Sequence, residues 1–228
     1  TYRTPVIVLS DGYLANGSEP WRLPDLDALP PIDANFASAP NHTTDDGSEE
    51  FWPYLRDATT LARAWAAPGT AGLEHRIGGL EKQDGSGNVS YDPANHDLMV
   101  RTRQAKVDRV AASIPPLEVD DPDGDADILV IGWGSTYGPI GAAVRRCRDA
   151  GLHVAQAHFR HLNPLPENTE QVLKGYRKVL LPEMNLGQLA LLLRGKFLVD
   201  VISYTQVRGL PFKAAELASV IQEAATDE

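Results

Sequence analysis

The stretch Asp127-Ile128-Leu129-Val130-Ile131-Gly132-Trp133-Gly134-Ser135-Thr136-Tyr137-Gly138-Pro139 constrains the fold more than any other part of the chain. An apolar run of strand length breaks at a glycine-rich turn, and 139–144 then reads as helix. Proline suits the first helical position, where its missing N–H would be an orphan donor anyway. Glycines in such a turn let the backbone approach a helix N-terminus or a ligand closely. Further strand-like runs follow at 152–159, 178–183 and 198–204, with helical segments near 167–174, 187–194 and 213–225. This alternation predicts an α/β domain over 127–228, with a mostly parallel sheet and helices on both faces. Ligands in such sheets bind where strands end, which points to the loops 132–138, 160–166 and 183–188.

A chain of 228 residues with 43% hydrophobic content can bury a sizeable core in one or two domains. Its formal charge of −10 argues against nucleic-acid or anionic-membrane partners, which require basic surface. No apolar run approaches the roughly 20 residues of a membrane span, and no signal sequence opens the chain. The single cysteine, Cys147, can form no internal disulfide and cannot alone hold an iron–sulfur cluster. The expectation is a cytoplasmic protein.

Upstream, the run Thr4-Pro5-Val6-Ile7-Val8-Leu9-Ser10 reads as a buried strand, since continuous β-branched and leucine residues suit a doubly covered sheet. The next 40 or so residues supply no obvious partner for it, so 1–20 is expected to be the last strand and exit loop of a domain whose remainder is not among these residues. The alternative is an edge strand of the later sheet. Residues 21–91, rich in proline, Asp and glycine, are expected to form an extended, irregular tether between domains or subunits, packing through Trp52, Tyr54, Leu55 and Trp65. Residues 92–126 read as a helix and an acidic linker. Asp92-Pro93 supplies N-cap and first-turn residues, and Val100, Val107, Val110 or Ala111, and Ile114 share a face. Opposite lies a basic stripe, Arg101, Arg103, Lys106 and Arg109, read as a solvated face rather than a phosphate or partner site. His75 lacks a second histidine at metal-ligand spacing and reads as a structural hydrogen-bond partner.

The chemistry legible in single motifs is sparse. Gly132, Gly134 and Gly138 miss the dinucleotide fingerprint, whose third glycine falls one residue earlier, and no Gly-Lys-Ser/Thr of a P-loop follows. No Ser-His-Asp or Cys-His arrangement is evident. The chain also lacks the Gly-Asp-Gly with downstream Asn by which thiamine enzymes hold a diphosphate through magnesium. On residues alone, the chain either completes an active site built elsewhere or is a stand-alone α/β module for a nucleotide or acyl-phosphate.

Six ordered segments carry a resemblance. They run from Pro5 to Asn16, Gly72 to Arg76, Gly132 to Pro139, His161 to Pro166, Pro182 to Leu189 and Val207 to Phe212. Together they resemble the C-terminal half of the α subunit of 2-oxoacid:ferredoxin oxidoreductases, closest to the 2-oxoglutarate (KorA) type. The resemblance implies a transketolase C-terminal-like domain at 127–228, preceded by the last strand of a pyrimidine-binding domain. It also implies oxidative decarboxylation of a 2-oxoacid on thiamine diphosphate, with electrons passing singly to a 4Fe–4S cluster and ferredoxin, and coenzyme A collecting the acyl group. Magnesium, diphosphate and cluster ligands belong to the β subunit (KorB type) in that family, and two αβ units associate. The family's substrate-gripping and cofactor-activating segments lie upstream of Thr4, so no catalytic or metal-binding residue carries over. Asp11, Tyr13, Ser135, Thr136, Glu183 and Asn185 are the expected interface or active-site rim. The equivalent domain of a transketolase or a 2-oxoacid dehydrogenase β subunit is a further alternative, although the segment from Gly72 is not expected in either.

Overall fold

The computed structural model describes residues 1–18, 20 and 22–226. The end of the expected exit loop, Glu19 and Trp21, lies outside the described residues, as do Asp227 and Glu228. The chain divides into two units, one of Thr1–Val6 with Pro20–Val110 and one of Ile7–Glu19 with Ala111–Glu228.

The opening run forms no strand. Val6, Ile7, Val8 and Leu9 belong to no ladder, and their exposures are 83, 83, 85 and 65%. The alternative of an edge strand in the later sheet is thereby overturned: among the described residues the run finds no strand to pair with, and its apolar side chains stay exposed. The run leads into a short helix α1 (Gly12–Asn16), whose N-cap Asp11 accepts a 3.0 Å hydrogen bond from the Leu14 amide.

The first unit has little regular structure. Two-residue strands β1 (Phe36–Ala37), β2 (His42–Thr43), β3 (Glu49–Glu50) and β4 (Trp65–Ala66) form two minimal ladders, β1 parallel to β4 and β2 antiparallel to β3. This stretch is irregular, as its prolines and glycines predict, but folded on itself rather than extended. The reason is that side chains take up carbonyls which a sheet would otherwise satisfy. Arg3 donates to the carbonyls of Arg63, Ala34 and Asn35, Arg63 donates to that of Pro53, and Lys106 donates to that of Arg3. Trp52 stacks on His42, and Arg63 lies 4.3 Å from the Tyr54 ring centroid, so these aromatics pack inside the unit.

Helix α2 (Pro93–Arg109) begins where expected, with Asp92 capping Ala94. Its buried side differs from the expected valine face: Met99 and Lys106 are buried, whereas Val100 is exposed. Asn95 helps fix this rotation by donating to the Lys82 carbonyl and accepting from the Asp84 amide. The basic stripe accordingly splits. Lys106 turns inward, Arg109 donates to the carbonyls of Ala58 and Thr59, Arg101 pairs with Asp97, and Arg103 pairs with Glu81.

The second unit holds a five-stranded sheet in the order β5-β7-β6-β8-β9, from β5 (Val119–Asp120), β6 (Ile128–Trp133), β7 (Val154–Phe159), β8 (Lys178–Glu183) and β9 (Val201–Thr205). The last four are parallel, and β5, inside the stretch read as a linker, adds antiparallel to β7. Side chains alternate across the sheet. Ile128 and Val130 pack with residues of α3 (Tyr137–Asp149) and α6 (Ala214–Thr226), including Ile140, Val144, Leu217 and Ile221. Leu129 and Ile131 pack on the other face with Leu173 of α4 (Thr169–Lys174) and Leu189 and Leu193 of α5 (Gln188–Phe197). These residues are almost wholly buried, each worth about 1.5–3 kcal/mol relative to exposure. Pro139 stands third in α3 rather than first, still within the turn whose N–H groups have no intrahelical acceptor.

Candidate functional site

The sequence places its polar candidates where parallel strands finish, and the second unit brings most of them to that edge. β6 runs out at Trp133 and turns through a single 3-10 turn, Gly134–Thr136, into α3. Thr136 locks this turn, its Oγ1 donating to the Trp133 carbonyl at 2.8 Å and accepting from the Trp133 amide at 3.2 Å. Gly132 is required here: a Cβ would stand 2.4 Å from Ile140 Cδ1 and 2.6 Å from Thr136 Oγ1. Asp11 is held below the ordinary aspartate range, first by the nearby hydroxyl of Ser135, in the same turn, and then by the Leu14 amide. Tyr13, on α1, stays 66% exposed.

One strand further along, β8 ends in Glu183, which is fully buried. Its Oε1 accepts from Trp133 Nε1 at 3.3 Å, Asn185 Nδ2 at 3.2 Å and the Leu189 amide at 3.1 Å, while Oε2 accepts from the Ala190 amide at 3.1 Å. The carboxylate thus satisfies two orphan amides in the first turn of α5 and lies against the positive end of its dipole. Asn185 Oδ1 in turn receives the Gly187 amide at 2.7 Å. Gly187 has φ 85°, and a Cβ there would come within 2.9 Å of Ser203 Oγ. Glu183 and Asn185 therefore act on the position of α5. That helix and its ends leave Leu186, Leu191, Leu192 and Leu198 exposed at 78, 65, 48 and 88%.

His158 was not among the sequence candidates. It sits opposite Gly132 in the β6–β7 pairing and edge-on to the Tyr137 ring, at 5.1 Å between centroids. Its buried Nδ1 has no hydrogen-bond partner among the described residues. Burial lowers the imidazole below the ordinary histidine value, partly offset by the Gly134 backbone. The signal was present in the strand's alternation: Gln156 and His158 fall on the same side as Val154, where a helix-covered face calls for apolar residues.

The structure keeps His75 away from this edge. Its ring lies 5.0 Å from Phe51, and Nδ1 stands 2.8 Å from the Leu73 carbonyl, a structural role. Among the described residues no hydrogen bond joins Ser135 to a histidine. Among the described residues no group of three or more His, Cys, Asp or Glu could hold a metal ion, and Cys147 is buried alone. These residues do not fit a magnesium–diphosphate or iron–sulfur site.

No protein-family model matches the chain. It is 60% identical over 224 residues to the 2-oxoglutarate oxidoreductase subunit KorA of Mycobacterium tuberculosis, covering 98% of this chain and 33% of that protein. It is 30% identical over 230 residues to subunit alpha of the 2-oxoacid:ferredoxin oxidoreductase 2 of Aeropyrum pernix, covering 97% of this chain and 34% of that protein. Among solved structures, the 2-oxoglutarate:ferredoxin oxidoreductase from Magnetococcus marinus, with 2-oxoglutarate, coenzyme A and succinyl-CoA bound, matches with TM-score 0.70 and 33% identity over 81% of this chain and 32% of that one. The chain spans about a third of the length of each of these three proteins.

Proposed function

The chain is homologous, over nearly its whole length, to part of the α subunits of 2-oxoacid:ferredoxin oxidoreductases, and from that premise we propose that it serves in such a subunit. The reaction is the CoA-dependent oxidative decarboxylation of a 2-oxoacid to acyl-CoA and carbon dioxide, with the electrons passed to ferredoxin. The proposed substrate is 2-oxoglutarate and the product succinyl-CoA. The 60% identity to a 2-oxoglutarate oxidoreductase subunit is the observation that carries this reading.

In this proposal thiamine diphosphate, magnesium and the 4Fe–4S cluster are held by a β subunit, which supplies the decarboxylation and electron-transfer chemistry. Ferredoxin, the remainder of an α subunit and a second αβ unit complete the set of partners. The residues 1–20, 21–91, 92–126 and 127–228 act respectively as strand and exit loop, tether, helix with linker, and transketolase C-terminal-like domain. The role of 127–228 is assembly: Glu183 and Asn185 set α5, whose exposed leucines face a partner, while Asp11, Tyr13, Ser135 and Thr136 form the polar rim nearest the shared active site. The site of action is the cytoplasm; among the described residues no helix is long and apolar enough to cross a membrane. A self-contained nucleotide-binding module would have its opening run laddered within the chain, whereas Val6–Leu9 pair with nothing described.

Anaerobic purification of the full-length protein from its source tests this reading. A second chain type, bound thiamine diphosphate, and iron with acid-labile sulfide are the expected result. A particle with one chain type and none of these groups contradicts it.

A further inference from the structure

Strand β7 carries two polar side chains on the face that α3 covers. Gln156 and His158 alternate with Ala155, Ala157 and Phe159 of the opposite core, so both lie on the side of Val154 and α3. Gln156 is only 8% exposed, yet its carboxamide makes no hydrogen bond among the described residues. His158 Nδ1, two residues on, is buried and equally unpartnered. A buried donor or acceptor without a partner is costly, so an apolar residue is expected at such a position unless something outside the chain completes the bonds.

Gly141 of α3 keeps the space beside Gln156 open. A Cβ at Gly141 would stand 3.3 Å from Gln156 Oε1, 3.5 Å from Gln156 Nε2 and 3.4 Å from Arg145 Nη1, so a carboxamide and a guanidinium converge there. Arg145 is exposed and pairs with no carboxylate among the described residues. Asp120 of β5 stands directly opposite Gln156 in the ladder, and its carboxylate is taken by Arg148 Nη1 at 2.9 Å. The notch thus offers N–H donors from Gln156 and Arg145 and one acceptor, Gln156 Oε1, with an aspartate at its rim.

We propose that this notch receives a loop of a different polypeptide chain, one of whose main-chain peptide groups pairs with Gln156: its carbonyl accepts from Nε2 and its N–H donates to Oε1. The inference rests on the reading that the chain works in a multi-subunit assembly. A peptide group suits the notch because it supplies one acceptor and one donor, as the carboxamide requires, and Arg145 is a second donor to the same carbonyl. A carboxylate has no donor for Oε1 and would bring its charge against Asp120. A second copy of this chain is disfavoured too, since it carries a formal charge of −10 and would meet an edge that holds Asp120 and its neighbour Asp121.

The test compares the stability of the full-length subunit with its association, using Gln156→Met, which keeps the shape of the side chain and removes both hydrogen-bonding groups. The free variant is expected to melt at or above the temperature of the unaltered subunit, because no bond is lost within it. Its binding to the partner subunit, by sedimentation over a range of concentrations, is expected to weaken roughly fivefold or more. Gly141→Ala fills the notch with a methyl group while favouring the helix, and should weaken association likewise. A Met variant that melts lower or fails to fold would show the carboxamide already bonded within the chain, and unchanged association would show it bonded to water alone; either overturns the inference. Loss of self-association, with binding to the partner intact, would seat a second copy there and overturn the assigned occupant. An unaltered subunit with no partner contradicts the proposed function as well, whereas an assembly indifferent to both substitutions contradicts this inference alone.

Discussion

Glu183 shows how one buried carboxylate can set the position of a helix. Its carboxylate accepts four hydrogen bonds, two of them from the first turn of α5. Glu183→Ala leaves those amides and the Trp133 indole without an acceptor in a buried place, at a cost of roughly 1–3 kcal/mol. The expected outcome is weaker association of the purified subunits by sedimentation, with turnover per assembled complex unchanged; an intact complex with abolished turnover would refute it. A second residue gives a direct electrostatic reading. Thr44 first, then Ser48, hold the exposed Asp46 carboxyl down to about 2 from its ordinary 3.8. A carboxylate lowered on folding stabilises the turn above the unfolded value and loses that contribution as pH falls through the folded one. NMR titration should find Asp46 near 2, and Thr44→Ala should return it toward 3.8. A value already at 3.8 in the unaltered protein would contradict the turn's geometry.

At the scale of elements, the parallel strands and their helices were legible because each is a long apolar run or an amphipathic segment between glycine and proline signals. The two-residue strand β5 was not, lying in an acidic stretch whose composition says only "solvated". The rotation of α2 was also hidden. Its buried face depends on Lys106 meeting the Arg3 carbonyl, a partner 103 residues away that no local periodicity encodes. The same holds for the first unit at large, where Arg3 gathers carbonyls 31, 32 and 60 residues distant. Among the candidate residues, position in the chain identified the strand ends but not their roles. Glu183, expected at a strand-end contact with a partner, is a buried cap, while His158 was signalled only as a polar residue on a helix-covered face of β7. The contact between β6 and α3 offers a sharp test. Gly132→Ala drives a methyl into Ile140 and Thr136, so unfolding by urea, followed by Trp133 fluorescence, should show a loss of roughly 1–3 kcal/mol. No loss would mean that the strand and helix are not packed this closely.

At the scale of the whole molecule, two units with different physics share one chain. One is held by a buried parallel sheet, the other by arginines and a lysine that satisfy scattered carbonyls. Among the described residues no group of three or more His, Cys, Asp or Glu could hold a metal ion, and the second unit leaves Leu186, Leu191, Leu192 and Leu198 exposed. The most direct measurement is anaerobic reduction of ferredoxin by the purified full-length complex, with 2-oxoglutarate and coenzyme A supplied together and separately. The proposed function predicts reduction only with both, accompanied by succinyl-CoA and carbon dioxide in equal amounts. Ferredoxin reduction that ignores coenzyme A, or no reduction with any 2-oxoacid tried, would contradict it.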